Sequence, residues 1–397
     1  MQPNTTIAPP SEAMKAYSGL YREELINNIL PFWLKHSKDE QYGGFFTCLD
    51  RVGNVYDTDK FMWLQGRQVW CFSYMYHHVA PNQDWLDMAL HGAKFMQQHG
   101  RDASGSWYFS LEASGKPLVQ PYNIFSDCFA TMAFAALDKV QPSDIYKEIA
   151  TTTFENILRR RDNTKGIYNK AYPGTRPLKN FSLPMILCNL SLELEHIIGA
   201  SRVNEFVPEV IHEVMEVFYN KDFGVVLENV QPDGHFSDSF EGRVLNPGHA
   251  IEAMWFIMDL GKRMNDPALI HRAADIMFDT LEMGWDKEHG GIYYFLDVKG
   301  HPVQQLEWDQ KLWWVHVESL VALAKAYVLT RDPRCIPWFE KLHDYTWHHF
   351  RDLEYGEWFG YLNRKGDVLL PLKGGKWKGC FHIPRAMYQV SETLKQL

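Results

Sequence analysis

The chain has 397 residues, is 46% hydrophobic and carries a formal net charge of −9. A mildly acidic chain grips a nucleic-acid backbone poorly, and no apolar run approaches the length of a membrane span. Its six cysteines (Cys48, Cys71, Cys128, Cys188, Cys335, Cys380) lie far apart with no CxxC, which excludes a disulfide framework.

In chain order, residues 1–10 carry no periodic pattern and are expected to be flexible. They show no charged region followed by an apolar core, so a soluble protein of a reducing, cytoplasmic compartment is expected. Ser11 opens a first helix. YGGFFTCLDRVGNV, from Tyr42, then reads as a β-hairpin around a glycine turn. A helix over Met62–Val79, a Pro81-Asn82 turn and a second helix over Gln83–Gln98 follow. The cycle returns with GSWYFSLEASGKPL from Gly105, Phe125–Val140 and Gln141-Pro142-Ser143. Two weaker hairpin copies come next: GIYNKAYPGTRPL from Gly166, before Phe181–Ile198, and FGVVLENVQPDGHF from Phe223, before Pro247–Met264. HGGIYYFLDVKGHPV from His289 precedes Gln310–Leu329, an Asp332-Pro333 turn and Arg334–Phe350. GEWFGYLNRKGDVLL from Gly356 precedes the last helix, Gly379–Leu394. A period of roughly sixty residues marks a repeat architecture.

The helix after each hairpin is apolar nearly all round, as in FSDCFATMAFAAL, so it is buried on all faces. The others are amphipathic. Six buried helices ringed by six amphipathic ones predict an all-α fold, an (α/α)6 barrel or toroid with short β-hairpins at one mouth, as a single catalytic domain over 11–397. The inner helices run the same way, so their first turns converge on one pocket. The matched positions carry Arg67, Ser126-Asp127, Pro184, His249, His316 or Glu318, and His382. Arg67 has an alternative role as a buried ion-pair partner of Asp127 or Glu252. His316 and Glu318 are two apart, so at most one faces the pocket. No HExxH, Cys/His zinc spacing or acidic calcium loop indicates a metal. GGKWKG, at Gly374–Gly379, lacks the residues of a P-loop and reads as a flexible basic rim leading to His382.

WLQGR, KAYPGTRPLKNFSLPMILCNL, LNPGHAIEAMWF, WWVHVES and LKGGKWKGCFHIPRA resemble the N-acylglucosamine 2-epimerase family, whose vertebrate members are also called renin-binding protein. The resemblance covers nearly the whole chain after residue 12 and implies an (α/α)6 barrel. It implies interconversion of N-acetyl-D-glucosamine and N-acetyl-D-mannosamine, with no catalytic cofactor and ATP as an activator that is not consumed. It places the family's essential arginine on Arg67, its catalytic histidines on His249 and His382, and its essential glutamate on Glu318. Lys170–Lys179 matches a segment tied to substrate or nucleotide, with Lys170, Gly174, Thr175, Arg176 and Lys179 as nucleotide candidates. Lys170, Trp63, Trp313, Trp377, Glu252 and Arg385 are the substrate-binding candidates. A homodimer is a further expectation.

Epimerisation at C2 removes an α-proton from the open-chain aldehyde and returns one to the other face. Two histidines suit that exchange, and a fixed arginine suits the enolate oxygen at C1. Related mannose isomerases and cellobiose epimerases share the barrel and the histidines. A toroid glycoside hydrolase would need two flanking carboxylates, and a non-catalytic interaction protein would need neither.

Overall fold

The computed structural model describes residues 10–170, 172 and 174–397. The expected flexible segment therefore lies outside the described residues, except Pro10, which already begins the first helix. Helix α1 runs over Pro10–Glu24 and continues through a π-helical turn, Leu25–Ile29, into Leu30–His36. Eleven more helices follow: α2 (Met62–His78), α3 (Gln83–His99), α4 (Ile124–Val140), α5 (Asp144–Arg160), α6 (Ser182–Ile198), α7 (Ala200–His212), α8 (Pro247–Met264), α9 (Pro267–Gly284), α10 (Trp313–Thr330), α11 (Cys335–His349) and α12 (His382–Leu394).

The even-numbered helices pack side by side in order, α2 to α12. The ring closes where Trp70 and Tyr74 of α2 meet Phe381 and Tyr388, with ring centroids 5.2 Å apart in both pairs. Each odd helix from α3 onward packs outside the inner helix before it, and α1 covers α12. The predicted toroid is therefore the observed one. Burial explains the division: in α4 every residue from Ser126 to Asp138 is buried. A phenylalanine so placed contributes about 1.5–3 kcal/mol. Among the described residues, no helix is long and apolar enough to cross a membrane.

Short antiparallel strands gather at the mouth. The strand before an inner helix pairs with the hairpin of the next repeat: Lys60–Phe61 with Ser110–Leu111, Lys179–Asn180 with Asn229–Val230, Val244–Leu245 with Leu296–Asp297, and Lys311–Leu312 with Tyr361–Leu362. A bridge between Asp50 and Leu372 joins the last repeat to the first. This chain of pairings fixes the height at which each inner helix starts. Two expected elements differ. The stretch from Gly166 forms a 3-10 turn over Gly166–Tyr168, and its one strand pairs a repeat later instead of folding back. Helices α10 and α12 start three residues later than expected, because Lys311–Leu312 is already in a strand and Phe381 has non-helical backbone.

Buried lysines staple the same strands. Lys60, Lys311 and Lys373 are fully buried and pair with Asp39, Asp286 and Asp352 at 2.6, 3.1 and 2.8 Å. Burial pushes Lys311 and Lys373 down to about 8. The GGKWKG stretch is corrected accordingly. Lys378 is buried on the Glu357 carboxylate at 2.8 Å and donates to the Lys373 carbonyl, so only Lys376 and Trp377 are exposed. The segment is a pinned ledge, because its acidic partners lie about twenty residues upstream in the preceding hairpin.

Candidate active site

First turns of all six inner helices line one cavity of about 510 Å³. That volume lies within the range of small-molecule sites. Helical spacing decides which side chains enter it: Trp63 and Arg67 on α2, Phe125 and Phe129 on α4, His249 and Glu252 on α8, His382 and Arg385 on α12. Asp127 and Pro184, the matched positions on α4 and α6, do not line it. Asp127 instead pairs with Arg160 of α5 at 3.2 Å.

The α8 turn is built by Asn246-Pro247-Gly248-His249. The Asn246 side chain caps the helix by accepting the His249 N–H at 3.1 Å, and Pro247 takes the first helical position. A Cβ on Gly248 would stand 2.7 Å from the Trp314 ring, so glycine makes room for that indole. His249 packs on Trp314 with centroids 5.1 Å apart, and His382 packs on the same ring at 5.8 Å. Trp314 thus sits against both histidines. The sequence reading proposed Trp313, Trp63 and Trp377, which also line the cavity, and passed over Trp314. The indole N–H groups of Trp63 and Trp313 are buried without a partner among the described residues, and Trp377 stands half-exposed, edge-on to Trp63.

Each histidine has its Nδ1 on a carboxylate. His249 meets Glu228 at 2.9 Å and His382 meets Glu318 at 2.7 Å. A neutral ring donating from Nδ1 keeps its Nε2 lone pair free. Neither Nε2 has a protein hydrogen-bond partner among the described residues. Burial opposes the charged form of His249, but the Glu228 carboxylate outweighs it, and the imidazole is held above its ordinary value. His382 is held well below its ordinary value, first by burial and then by the Arg67 charge, with Arg385 adding to it.

Glu318 is fully buried beneath the cavity floor, where Arg385 and Trp255 also donate to it at 2.6 and 3.0 Å. It therefore positions His382 and does not line the cavity. His316, two residues away, faces outward: Nε2 accepts the Ile292 N–H at 3.0 Å and Nδ1 donates to the Leu312 carbonyl at 2.7 Å. Burial pushes it down to about 3, so it is a neutral structural residue. Arg385 also pairs with Glu252. Ligand atoms of Glu252, Glu318 and His382 lie within 4.8 Å of one another, but Arg385 already supplies the countercharge between the two carboxylates.

Among the described residues Arg67 makes no ion pair, contrary to the alternative of Asp127 or Glu252, and its buried Nε has no acceptor. Its guanidinium lies 4.0, 4.4 and 4.8 Å from the rings of Phe129, Trp63 and Phe381. Burial pushes it down to about 9, which still leaves it charged at neutral pH. A buried cation packed among aromatic faces, with Glu252 and Glu318 acting on it only at a distance, favours an oxygen anion in the cavity.

The loop candidates stand apart. Lys170, Gly174, Thr175 and Arg176 are exposed, and none of them lines the cavity. Lys179 is already paired with both oxygens of Glu213 at 2.9 Å. Residues 171 and 173 lie outside the described residues. Glu228 escaped the sequence reading. It is the one charged residue of VVLENV, in a hairpin whose copies carry no carboxylate at that place, and its N–H donates to the Val244 carbonyl at 3.3 Å, just before the α8 turn that carries His249.

Comparison with known proteins agrees with this geometry. The family model for N-acylglucosamine 2-epimerase (GlcNAc 2-epimerase) matches residues 44–386. The N-acylglucosamine 2-epimerase of Rattus norvegicus is 38% identical over 394 residues, covering 97% of this chain and 94% of the rat protein. That of Mus musculus is 38% identical over 383 residues, with 94% and 91% covered. The solved cellobiose 2-epimerase of Bacillus thermoamylovorans B4167 superposes with a TM-score of 0.83 over 95% of this chain and 99% of that one; at 21% identity it speaks to the fold alone. On this family match and near full-length identity, the chain belongs to the N-acylglucosamine 2-epimerase family.

Proposed function

We propose that this protein interconverts N-acetyl-D-glucosamine and N-acetyl-D-mannosamine by moving protons at C2 of the open-chain sugar between His249 and His382. The observation that carries the reading is geometric: two histidines line one cavity from different helices, each with Nδ1 on a carboxylate. Their surroundings push them apart, Glu228 raising His249 while burial, with Arg67 and Arg385, lowers His382. A two-base epimerase needs that division before substrate arrives.

In one direction the Nε2 of His382 takes the C2 proton. The C2–H bonding pair becomes the C1–C2 double bond, and the aldehyde oxygen becomes an enolate oxygen. Arg67 is the unpaired cation available to it, worth about 3 kcal/mol for a donor of this kind. His249 then delivers its Nε2 proton to the other face, and the carbonyl re-forms. The reverse direction starts from the same singly protonated pair with the proton on His382. The N-acyl branch, as against the disaccharide branch, is favoured by 38% identity to the rat enzyme against 21% to the cellobiose epimerase.

Proton NMR of N-acetylmannosamine with the enzyme in deuterated water, with and without ATP, tests the reading. Both sugars are expected to appear, with deuterium at C2 of the product. Product formation with the C2 proton retained, or no turnover of either sugar, contradicts it.

A further inference from the structure

The cavity has two chemically distinct walls. Tyr294, Glu307, Gln310 and Tyr361 line the side built by the hairpins around α10, and the side chains of Glu307 and Gln310 make no protein hydrogen bond among the described residues. The facing wall comes from α4 and α6, which bring no charged group to the cavity. Its α6 face is a stripe at helical spacing, Ser182, Met185, Ile186 and Asn189, packed beside Phe125 and Phe129 of α4. Asn189 is 8% exposed, and its side chain makes one weak contact, Nδ2 to the Met132 sulfur at 3.7 Å. Its amide oxygen accepts no hydrogen bond among the described residues. A nine-tenths buried amide left nearly unpartnered in an apolar wall is costly unless a ligand completes it.

A 2-acylamino sugar held at C2 between His249 and His382 has one apolar arm and one hydroxylated arm. The hydroxylated chain, C3 to C6, needs many polar partners. The acyl group needs an apolar slot and one or two partners for its amide. With the C1 oxygen turned to Arg67, the two arms fit the two walls in only one sensible sorting. We propose that Phe129, Met185 and Ile186 form the slot for the N-acyl group, that Asn189 hydrogen-bonds its amide, and that this wall sets which acyl lengths the enzyme accepts. The inference rests on the epimerase reading and adds a specificity determinant to it.

Slot length is open to direct measurement. Ile186→Ala shortens the wall side chain and should raise the ratio of kcat/KM for N-butanoylmannosamine over N-acetylmannosamine by about tenfold or more, the scale set by one or two methylenes in an apolar pocket. Ile186→Val, a milder change that spares the helix, should move the ratio the same way by a smaller factor. Asn189→Leu keeps the branched shape and removes the amide, and should lower kcat/KM for both acyl sugars by about tenfold or more, mainly through KM. Gln310→Ala, on the opposite wall, should lower both sugars together and leave the ratio unchanged. An unmoved ratio in both Ile186 variants, with wild-type turnover intact, overturns the slot while the epimerase reading stands. A ratio that moves equally in Gln310→Ala overturns the sorting of the two walls. Absence of wild-type turnover on any N-acyl sugar overturns the epimerase reading, and the slot with it.

Discussion

The first turns of α8 and α12 make the same contact and reach opposite results. In each, a histidine sets Nδ1 on a carboxylate, at 2.9 Å in α8 and 2.7 Å in α12. In α8 the carboxylate is Glu228, which pairs with no arginine among the described residues, and His249 is held above its ordinary value. In α12 the carboxylate is Glu318, whose charge is balanced by Arg385 at 2.6 Å, and His382 is held below its ordinary value. Burial, with the Arg67 and Arg385 charges, lowers His382, whereas at His249 the Glu228 carboxylate outweighs burial. Different surroundings thus turn a nearly symmetric pair into a proton donor and a proton acceptor.

The largest effects come from removing either member of the pair. His249→Ala and His382→Ala should each lower kcat by about a thousandfold or more, within the range of general acid–base groups. Circular dichroism should stay at wild-type helicity, since both rings face the cavity. Parallel loss of helicity and activity would make them structural. Arg67→Met keeps the aromatic packing and removes the charge shared by both proton transfers. Its kcat should fall by about 100- to 1000-fold, with a smaller change in KM.

The carboxylates separate the two halves by pH. Glu228 raises His249, so the ring keeps its proton to higher pH, and kcat/KM should fall on the alkaline side as that proton leaves. Glu228→Gln removes the cause and should move the alkaline limb to lower pH. Glu318→Gln should slow turnover by roughly tenfold or more through misplacement of His382, leaving the alkaline limb where it was. A shift of that limb in the Glu318 variant and none in the Glu228 variant would reverse the assignment.

Activation by ATP is the smallest expected effect. We propose that the exposed cations Lys170 and Arg176 attract the triphosphate, with Lys179 largely occupied by Glu213. Arg176→Ala should weaken ATP activation a few-fold while leaving sugar KM unchanged; an unaltered activation curve removes the loop from the nucleotide site.

Much of this was legible in the sequence because the fold is a repeat. Once hairpins and apolar helices alternate six times, Arg67, His249 and His382 fall at equivalent helix starts, and the family motifs single out Glu318 over His316. What escaped depends on contacts between residues about twenty positions apart. Glu228 meets His249 because its hairpin folds back on the strand just before α8, where its N–H donates to the Val244 carbonyl. Lys373 and Lys378 read as a basic loop because Asp352 and Glu357 lie in the preceding hairpin. Asp127 shares the matched position yet turns to Arg160, since one residue of offset swings a helical side chain by about 100°. Trp313 and Trp314 both reach the cavity, and nothing in WWVHVES says which one meets the histidines.

The division of labour between the two histidines is tested most directly by deuterium exchange in the single variants. His249→Asn and His382→Asn, each incubated separately with N-acetylglucosamine and N-acetylmannosamine in deuterated water, keep one base apiece. Each variant is predicted to wash deuterium into C2 of only one sugar, the two variants into different sugars, with net epimerisation far below exchange. Exchange into both sugars by one variant, or into the same sugar by both, would contradict the account.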